Sequence, residues 1–446
     1  VHRYDENADR LAQSIFRYAL DRIRMDRPPL DGPRSPEELG AALAGAVSPG
    51  GLGGERAFAL YADELAPATV SADHPRFWAF VSIAPTESAS MFDLVVGASS
   101  TFAGSWMEGA GTAAAENQAL RWIADLVGLP SGAGGTFVSG GTMGNLSALV
   151  AARHHWRAQA RPGDRLLLAA TTETHSSVRA VARVMDVDVL EVPVDERGRM
   201  TGSALATAMN GHDRVFAVVA TAGTTNVGIV DDLAGIAAVC AASGAWFHVD
   251  GAYGGAGLAA PSVRHLFDGV EHADSFIVDP HKWLFAPYDC CALLYRDPRI
   301  AKAAHTQYAE YLDVYTDAGD WNPSDYAVHL SRRARGMPFW FSLVTHGTDA
   351  YRDAIESSIS LARETADLID DRDDLELCLR PELSVVMFRR LGWTLEDYSQ
   401  WCARLLADQI AFVMPTSWQG ETAMRFCFVH PRTTIDDVRL VLETMR

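Results

Sequence analysis

Lys282 stands in DSFIVDPHKWLFAPYDCC (274–291), where an apolar run ends in Asp-Pro-His-Lys and returns at once to Trp, Leu and Phe. A lysine so placed either snorkels from a strand end or holds its amine in a dry pocket. In a dry pocket the amine gives up its proton more readily and becomes a nucleophile, the usual route to a Schiff base. Asp250 closes a second apolar run, WFHVDGAYGG (246–255), and small residues after it would let a flat ligand approach. A buried carboxylate needs a cation or several hydrogen bonds, and no Arg or Lys lies near it in sequence. A distant ion pair or a helix cap is the structural alternative. A third stretch, TFVSGGTMGNLSAL (136–149), reads as strand, glycine turn and helix, with Gly140 and Gly141 in the turn and Thr142 and Asn145 where the helix begins. Free N–H groups and the helix dipole there make an anion site, unless the stretch is simply a glycine turn with a Thr cap. No GK[ST] follows, so it is not a Walker loop. His175, in TTETHSSVRAV (171–181), follows the run RLLLAAT and would either cap a helix or face a ligand. Thr224 and Thr225, in TAGTTNVGIVDDL (221–233), would close a turn or touch the same ligand.

These residues need elements that bring them together. RLLLAAT, DVLEVPV, VFAVVATAG, AWFHVDGAY, SFIVDP and CALLYRD are near-continuous apolar runs, as in a sheet covered on both faces. Helical stretches between them predict right-handed crossovers and a mostly parallel sheet. In such sheets ligands bind outside the carboxyl ends of the strands, which is where the reactive residues fall. ENQALRWIADLVGLP (116–130) places Leu120, Ile123, Ala124 and Val127 on one helical face before Gly-Leu-Pro stops it. Residues 1–65 read as a helical segment, with SPEE (35–38) as a cap, and are expected to pack on another unit such as a second subunit. Residues 66–325 form the expected large domain. Residues 326–446, with SVVMFRRL and MRFCFVH, form a smaller α+β domain.

Composition narrows the functional classes. At 446 residues, 48% hydrophobic and 21% charged, the chain has the profile of a globular enzyme of two or three units. A net charge of −19 with no basic stripe argues against nucleic acid. No apolar stretch approaches a membrane span, and the first twenty residues lack the apolar core of a signal peptide. Six cysteines without CxxC or zinc spacing predict neither a disulfide framework nor a metal site, and point to a reducing cytoplasm.

An anion cradle, a histidine, a strand-end carboxylate and an enclosed lysine together describe pyridoxal 5′-phosphate. The phosphate needs the Gly-Gly-Thr helix start, the aldehyde needs Lys282 and the pyridine nitrogen needs Asp250. A carboxylate about 4 Å from that nitrogen contributes roughly 4 kcal/mol at an effective dielectric near 20, on the order of three pKa units. That favours the protonated, electron-withdrawing ring.

On these residues the chain resembles the group II pyridoxal-phosphate-dependent amino acid decarboxylases, the family of aromatic-L-amino-acid, histidine and glutamate decarboxylases. The resemblance runs from HPRFWAF (74–80) to MRFCFVHPRTT (424–434), with HVDGAYGG…ADSFIVDPHKWL as its most specific block. THSSV, TAGTT, DCCALLYRD and LSRRARGMPFWF also match in order. It implies an α/β protein of the aspartate-aminotransferase-like fold type I. That fold has a mainly parallel seven-stranded sheet, a small α+β C-terminal domain and an N-terminal segment wrapped on the partner of a homodimer, with the site at the subunit interface. By position it implies Lys282 as the Schiff-base lysine, Asp250 at the pyridine nitrogen, and His175 and Ala252 on the two ring faces. It places Gly141, Thr142 and His281 at the phosphate and Thr225 near Asp250. Asp279 departs from the pattern, because the aromatic decarboxylases most often carry Asn there; a carboxylate beside the phosphate would repel a dianion unless turned away or protonated.

The implied reaction is decarboxylation of an L-amino acid to an amine and carbon dioxide, with a loop tyrosine protonating Cα. QYAEYLDVYTDAGDW (307–321) occupies the loop position, and Tyr311 matches that tyrosine better than Tyr308 or Tyr315; the alternative is a packed aromatic. Family members with phenylalanine there tend to be aldehyde synthases, so oxidative decarboxylation–deamination is the competing reading. A cofactor-binding scaffold without turnover is a third, disfavoured because each catalytic position is present. HPRFWAFVSIAPTESASMFD (74–93) would line the substrate side chain. Phe77, Trp78 and Phe80 favour an aromatic or apolar amino acid, while Ser82, Thr86 or Glu87 would recognise a polar substituent.

Overall fold

The apolar runs pair as one seven-stranded sheet in a computed structural model that describes residues 2–159, 165–307 and 321–445. Its strands are β1 (Gly134–Val138), β2 (Leu167–Ala170), β3 (Asp188–Glu191), β4 (Val215–Thr221), β5 (Trp246–Asp250), β6 (Ser275–Val278) and β7 (Cys291–Tyr295), in the order β1-β7-β6-β5-β4-β2-β3. Neighbours from β6 through β3 run parallel, and β7 lies antiparallel to both β1 and β6. Every residue of β4 is buried because helices cover both faces. Val218 and Ala220 join the core that includes Leu120, Ile123 and Val127 of the helix Trp106–Val127. Ala217 and Val219 face the other way, toward Ala148 and Leu149 of the helix Gly141–Arg157 and Val178 and Val181 of the helix Ser176–Met185. The helix Trp106–Val127 stops where Gly128 takes a left-handed φ of 81°.

A second, antiparallel sheet follows, with β8 (Leu375–Leu379), β9 (Val385–Arg390), β10 (Met414–Trp418) and β11 (Glu421–Cys427) in the order β10-β11-β9-β8. Its core includes Tyr398, Trp401, Phe388, Phe426 and Phe428, and Trp78 from far earlier in the chain inserts among them. Trp78 is 1% exposed and packs on Phe426 at 4.8 Å and Phe428 at 5.3 Å between ring centroids. The expectation that Trp78 lines a ligand pocket is therefore corrected. Phe77 bridges Phe412 and the Trp78 N–H donates to the Phe412 carbonyl, which turns the indole into the second core.

The N-terminal helices Glu6–Ile23, Pro36–Ala42 and Gly54–Leu60 contain no buried residue. Ser35 caps its helix as SPEE predicts, with Pro36 in the first turn, and Glu38 reaches back to complete a capping box. Among the described residues no helix is long and apolar enough to cross a membrane.

Candidate active site

The carboxyl ends of β4, β5 and β6 and the glycine turn after β1 enclose a cavity of about 290 Å³. Gly141, Thr142, Asn145, His175, Thr225, Asp250, Ala252, Asp279, His281 and Lys282 all line it. Reactive residues thus meet because parallel strands deliver their ends to one edge.

The helix Gly141–Arg157 begins at Gly140 without a side-chain cap, leaving its first N–H groups directed at the cavity edge. A Cβ on Gly141 would lie 3.2 Å from the Ala252 Cβ and 3.3 Å from Asp279 Oδ2, so glycine is what lets this turn close on the site. Asp250 is buried at the tip of β5. Its Oδ2 accepts from Asn145 Nδ2 at 2.9 Å and its Oδ1 from the Ala252 N–H at 3.1 Å. Behind Asn145 runs a polar chain through the sheet. Trp246 Nε1 donates to Ser275 Oγ at 2.8 Å, Ser275 Oγ lies 2.8 Å from His248 Nδ1, and His248 Nε2 lies 2.8 Å from Asn145 Oδ1. Burial draws the His248 imidazole down to about 4, so it is neutral. With Asn145 Nδ2 donating to Asp250, Asn145 Oδ1 must accept, and the proton of His248 belongs on Nε2. Each donor in the chain thus points toward the carboxylate.

Asn145 Nδ2 also reaches Ser177 Oγ at 3.1 Å, and Ser177 Oγ sits 2.8 Å from His175 Nδ1. The Ser177 N–H donates to that same Nδ1 at 3.2 Å, which makes it an acceptor and leaves Nε2 of His175 to carry the proton.

The other wall is charged. Lys282 Nζ lies 2.8 Å from Asp279 Oδ2, with His281 Nε2 at 3.7 Å from the same oxygen. Burial alone would push the Asp279 carboxyl up, but the Lys282 ammonium and His281 beside it hold it below the usual range. Burial likewise opposes the Lys282 charge, and Asp279 more than offsets it, so the amine stays above its ordinary value. The sequence argument had the amine made nucleophilic by burial; beside Asp279 it is instead an ammonium. Tyr288 reaches over this wall, its ring 4.9 Å from that of His281.

Two buried polar atoms at the cavity, Thr221 Oγ1 and Asp279 Oδ1, have no hydrogen-bond partner among the described residues. An open helix start, two unused polar atoms, a carboxylate presented by neutral donors and a single lysine fit pyridoxal phosphate.

Phe77, Trp78, Phe80 and Ser82 do not line this cavity. Phe77 is buried against Phe412 and Ser82 is 2% exposed, whereas the Phe80 side chain is exposed, at a left-handed φ of 51°. Tyr311 lies outside the described residues. Sequence reasoning missed Tyr288, Ser177, Thr221, His248 and Arg425. His248 was readable in one respect: it sits two residues before Asp250, on the same face of a strand whose other residues are apolar. Arg425 reaches across from β11 to three carbonyls, those of Phe80 at 2.6 Å, Thr225 at 2.8 Å and Asn226 at 3.2 Å. It ties the second sheet to the loop after β4, a link with no local signal.

The sequence profile of the pyridoxal-dependent decarboxylase conserved domain matches residues 55–391. The aromatic-L-amino-acid decarboxylase of Bacillus atrophaeus is 31% identical over 390 residues, covering 83% of this chain and 80% of that protein. The L-2,4-diaminobutyrate decarboxylase of Rhizobium meliloti (strain 1021) is 31% identical over 388 residues, covering 83% of this chain and 77% of that protein. In fold, the chain superposes on the crystal structure of Oryza sativa TDC with PLP and tryptamine at a TM-score of 0.92. That alignment covers 100% of this chain and 99% of the other at 24% identity.

Proposed function

We propose that this chain, which belongs to the pyridoxal-dependent decarboxylase family and is a pyridoxal-phosphate-dependent carboxy-lyase, converts an aromatic or apolar L-amino acid to its amine and carbon dioxide. The observation that carries this reading is the meeting of Lys282, Asp250, His175 and the uncapped Gly141 helix start around one cavity. When bound, the cofactor supplies an electron sink for the bond that breaks at the amino acid Cα.

In this reading Lys282 is the amine that anchors the cofactor covalently. Gly141, Thr142 and His281 would hold its phosphate, His175 and Ala252 would flank its ring, and Thr225 would support the site beside Asp250. Asp250 would pair with the pyridine nitrogen and favour its protonated form. The polar chain behind Asn145 is made of neutral groups, so it orients the carboxylate without neutralising it. His175 keeps its Nε2–H available to a substrate carboxylate because Nδ1 is occupied by Ser177. Tyr311 is the proposed donor of the proton that replaces the lost carboxylate at Cα.

An aromatic or apolar substrate is supported by the aromatic relative and by the exposed rings of Tyr288 and Phe80. Phe80 is held by its carbonyl to the same guanidinium that holds Thr225. The diaminobutyrate relative makes a cationic side chain the comparison that matters. A homodimer is proposed on the bare N-terminal helices and on the helix Glu87–Ser99, which exposes Met91, Leu94 and Val95. The division into segments 1–65, 66–325 and 326–446 is proposed with it, although Trp78 ties the start of the second segment to the third. A cytoplasmic setting is supported by six cysteines that are all free thiols.

The test is a panel of aromatic, aliphatic, acidic and diamino acids with amine, aldehyde and peroxide all measured. Amine from an aromatic or aliphatic amino acid is expected. Turnover confined to diaminobutyrate or glutamate would overturn the substrate assignment, and stoichiometric peroxide would overturn the product assignment.

A further inference from the structure

His248 is 0% exposed in the middle of β5 and does not line the cavity. It stands one strand repeat behind Asp250, on the same face. Asn145, near the start of the helix Gly141–Arg157, spans the step between them. Its Oδ1 takes the imidazole at 2.8 Å, and its Nδ2 donates to Asp250 Oδ2 at 2.9 Å. A carboxamide fills the same space in two orientations that exchange its oxygen and nitrogen. Turned the other way, Asn145 would set its oxygen against Asp250 Oδ2, acceptor against acceptor. The surroundings of the amide therefore decide whether Asp250 is met by a donor.

Two chains of hydrogen bonds make that decision, and they agree. The first starts at Trp246, whose indole can only donate and does so to Ser275 Oγ at 2.8 Å. Ser275 pairs with His248 in the strand register, and its Oγ has no partner among the described residues besides that indole and His248 Nδ1. The hydroxyl proton therefore goes to Nδ1 and the imidazole proton to Nε2, which faces Asn145 Oδ1. The second chain comes from His175, whose Nδ1 accepts the Ser177 N–H. Ser177 Oγ then donates to that nitrogen at 2.8 Å and accepts from Asn145 Nδ2 at 3.1 Å.

We propose that His248, held by Ser275 and Trp246, is a positioning residue for the cofactor: it fixes the Asn145 amide so that Asp250 meets the pyridine nitrogen as a carboxylate steadied by donors alone. This rests on the cofactor reading and deepens it, because it names what sets the partner of the ring nitrogen. Since the imidazole is neutral, the chain passes on orientation without charge, and the pull of Asp250 on a ring proton is not cancelled. A histidine that served packing alone would stabilise the strand and leave the ring nitrogen unaffected.

Holoenzyme carrying pyridoxal phosphate labelled with nitrogen-15 in its ring tests this, with wild type, His248→Leu and His248→Gln compared by NMR near neutral pH. Leucine strands the Asn145 oxygen, whereas glutamine can donate to it from the same strand position. The ring nitrogen should be protonated in wild type, shift toward the neutral pyridine value in His248→Leu, and return in His248→Gln. Cofactor affinity of the stripped proteins should fall about tenfold in His248→Leu and recover to within about threefold of wild type in His248→Gln. An unchanged ring nitrogen in His248→Leu overturns the proposal, as does a shift that His248→Gln fails to reverse. Should His248→Leu not fold, Ser275→Ala decides, because it frees His248 Nδ1 without touching the cavity. A ring-nitrogen shift in the same direction then supports the proposal, and a wild-type resonance overturns it. Wild-type protein that binds pyridoxal phosphate with its ring nitrogen unprotonated overturns this proposal alone. If wild type binds no pyridoxal phosphate, the cofactor reading falls and the proposal with it.

Discussion

Two ion pairs with buried carboxylates in this chain have opposite designs. Arg332 and Glu116 meet in bidentate geometry, at 2.7 Å and 3.0 Å, and are 1% and 2% exposed. Both oxygens of Glu116 are engaged, and it also accepts the Gly336 N–H at 2.8 Å, while Arg332 donates further to the Ala103 carbonyl at 2.7 Å and leaves only its Nε without a partner among the described residues. Lys282 and Asp279 share one contact, the lysine side chain is 23% exposed to the cavity, and one carboxylate oxygen is left over. A planar guanidinium matches a carboxylate in two places and saturates it, whereas an ammonium is a point charge on a flexible stem. The bidentate pair joins the helix Trp106–Val127 to the segment before the helix Met337–His346. The Lys282–Asp279 pair lines the cavity, where its ammonium is open to a ligand.

The contrast breaks first at Lys282. Lys282→Met should abolish the visible cofactor absorbance and all amine production while the chain still folds, because without the ammonium burial lets Asp279 take up a proton and become neutral. A reducible lysine adduct persisting in that variant would remove Lys282 from its assigned place. Arg332→Met should show the reverse, with Glu116 left as an uncompensated buried charge and roughly 3–5 kcal/mol of stability lost. Urea unfolding of both variants measures this, and a Lys282→Met loss as large as that of Arg332→Met would erase the distinction. Asn145→Ala sharpens it from the neutral wall. It strands His248 Nε2–H and Asp250 Oδ2, and should cost roughly 1–3 kcal/mol in stability with weaker cofactor retention; retention equal to wild type would make Asn145 structural alone.

The smallest effect is the pH dependence of the charged pair in cofactor-free protein. Asp279 is lowered on folding, so its contribution is present above the unfolded carboxyl value of about 3.9 and lost as pH falls through the lower folded one. Lys282 is raised, so its contribution is present below about 10.4 and lost as pH rises through the higher folded value. The stability difference between wild type and the Lys282→Met/Asp279→Asn double variant should therefore be flat from about pH 5 to 9 and shrink at both extremes. A slope inside that window would mean another group titrates with the pair.

Much of the large sheet was legible because strands buried on both faces cannot hide their composition; β2 through β7 each coincide with an apolar run. β8 and β10 were not read, for two reasons. β8 is half-exposed, so its alternation is weak, and β10 contains Pro415, which an edge strand tolerates and a central strand does not. At the cavity, the residues that end strands or start the helix were readable, since each sits at a change of local pattern. Trp78 was misplaced because a Phe-Trp-Ala-Phe run announces burial without saying in which core, and its partners Phe412, Phe426 and Phe428 lie more than three hundred residues away.

By itself, then, the sequence determined the strand runs, the glycine start of the cradle helix, and the type of each reactive group, because these follow from local pattern and side-chain chemistry. Tertiary structure alone decided three matters: that Asp250 is held by neutral donors, that Lys282 is paired with Asp279, and that Arg425 closes the second sheet onto the loop of Thr225. Each depends on a through-space approach of a few ångströms between segments far apart in the chain. Electrostatic state follows from that distance and from what else fills the space, and neither is written in the order of residues.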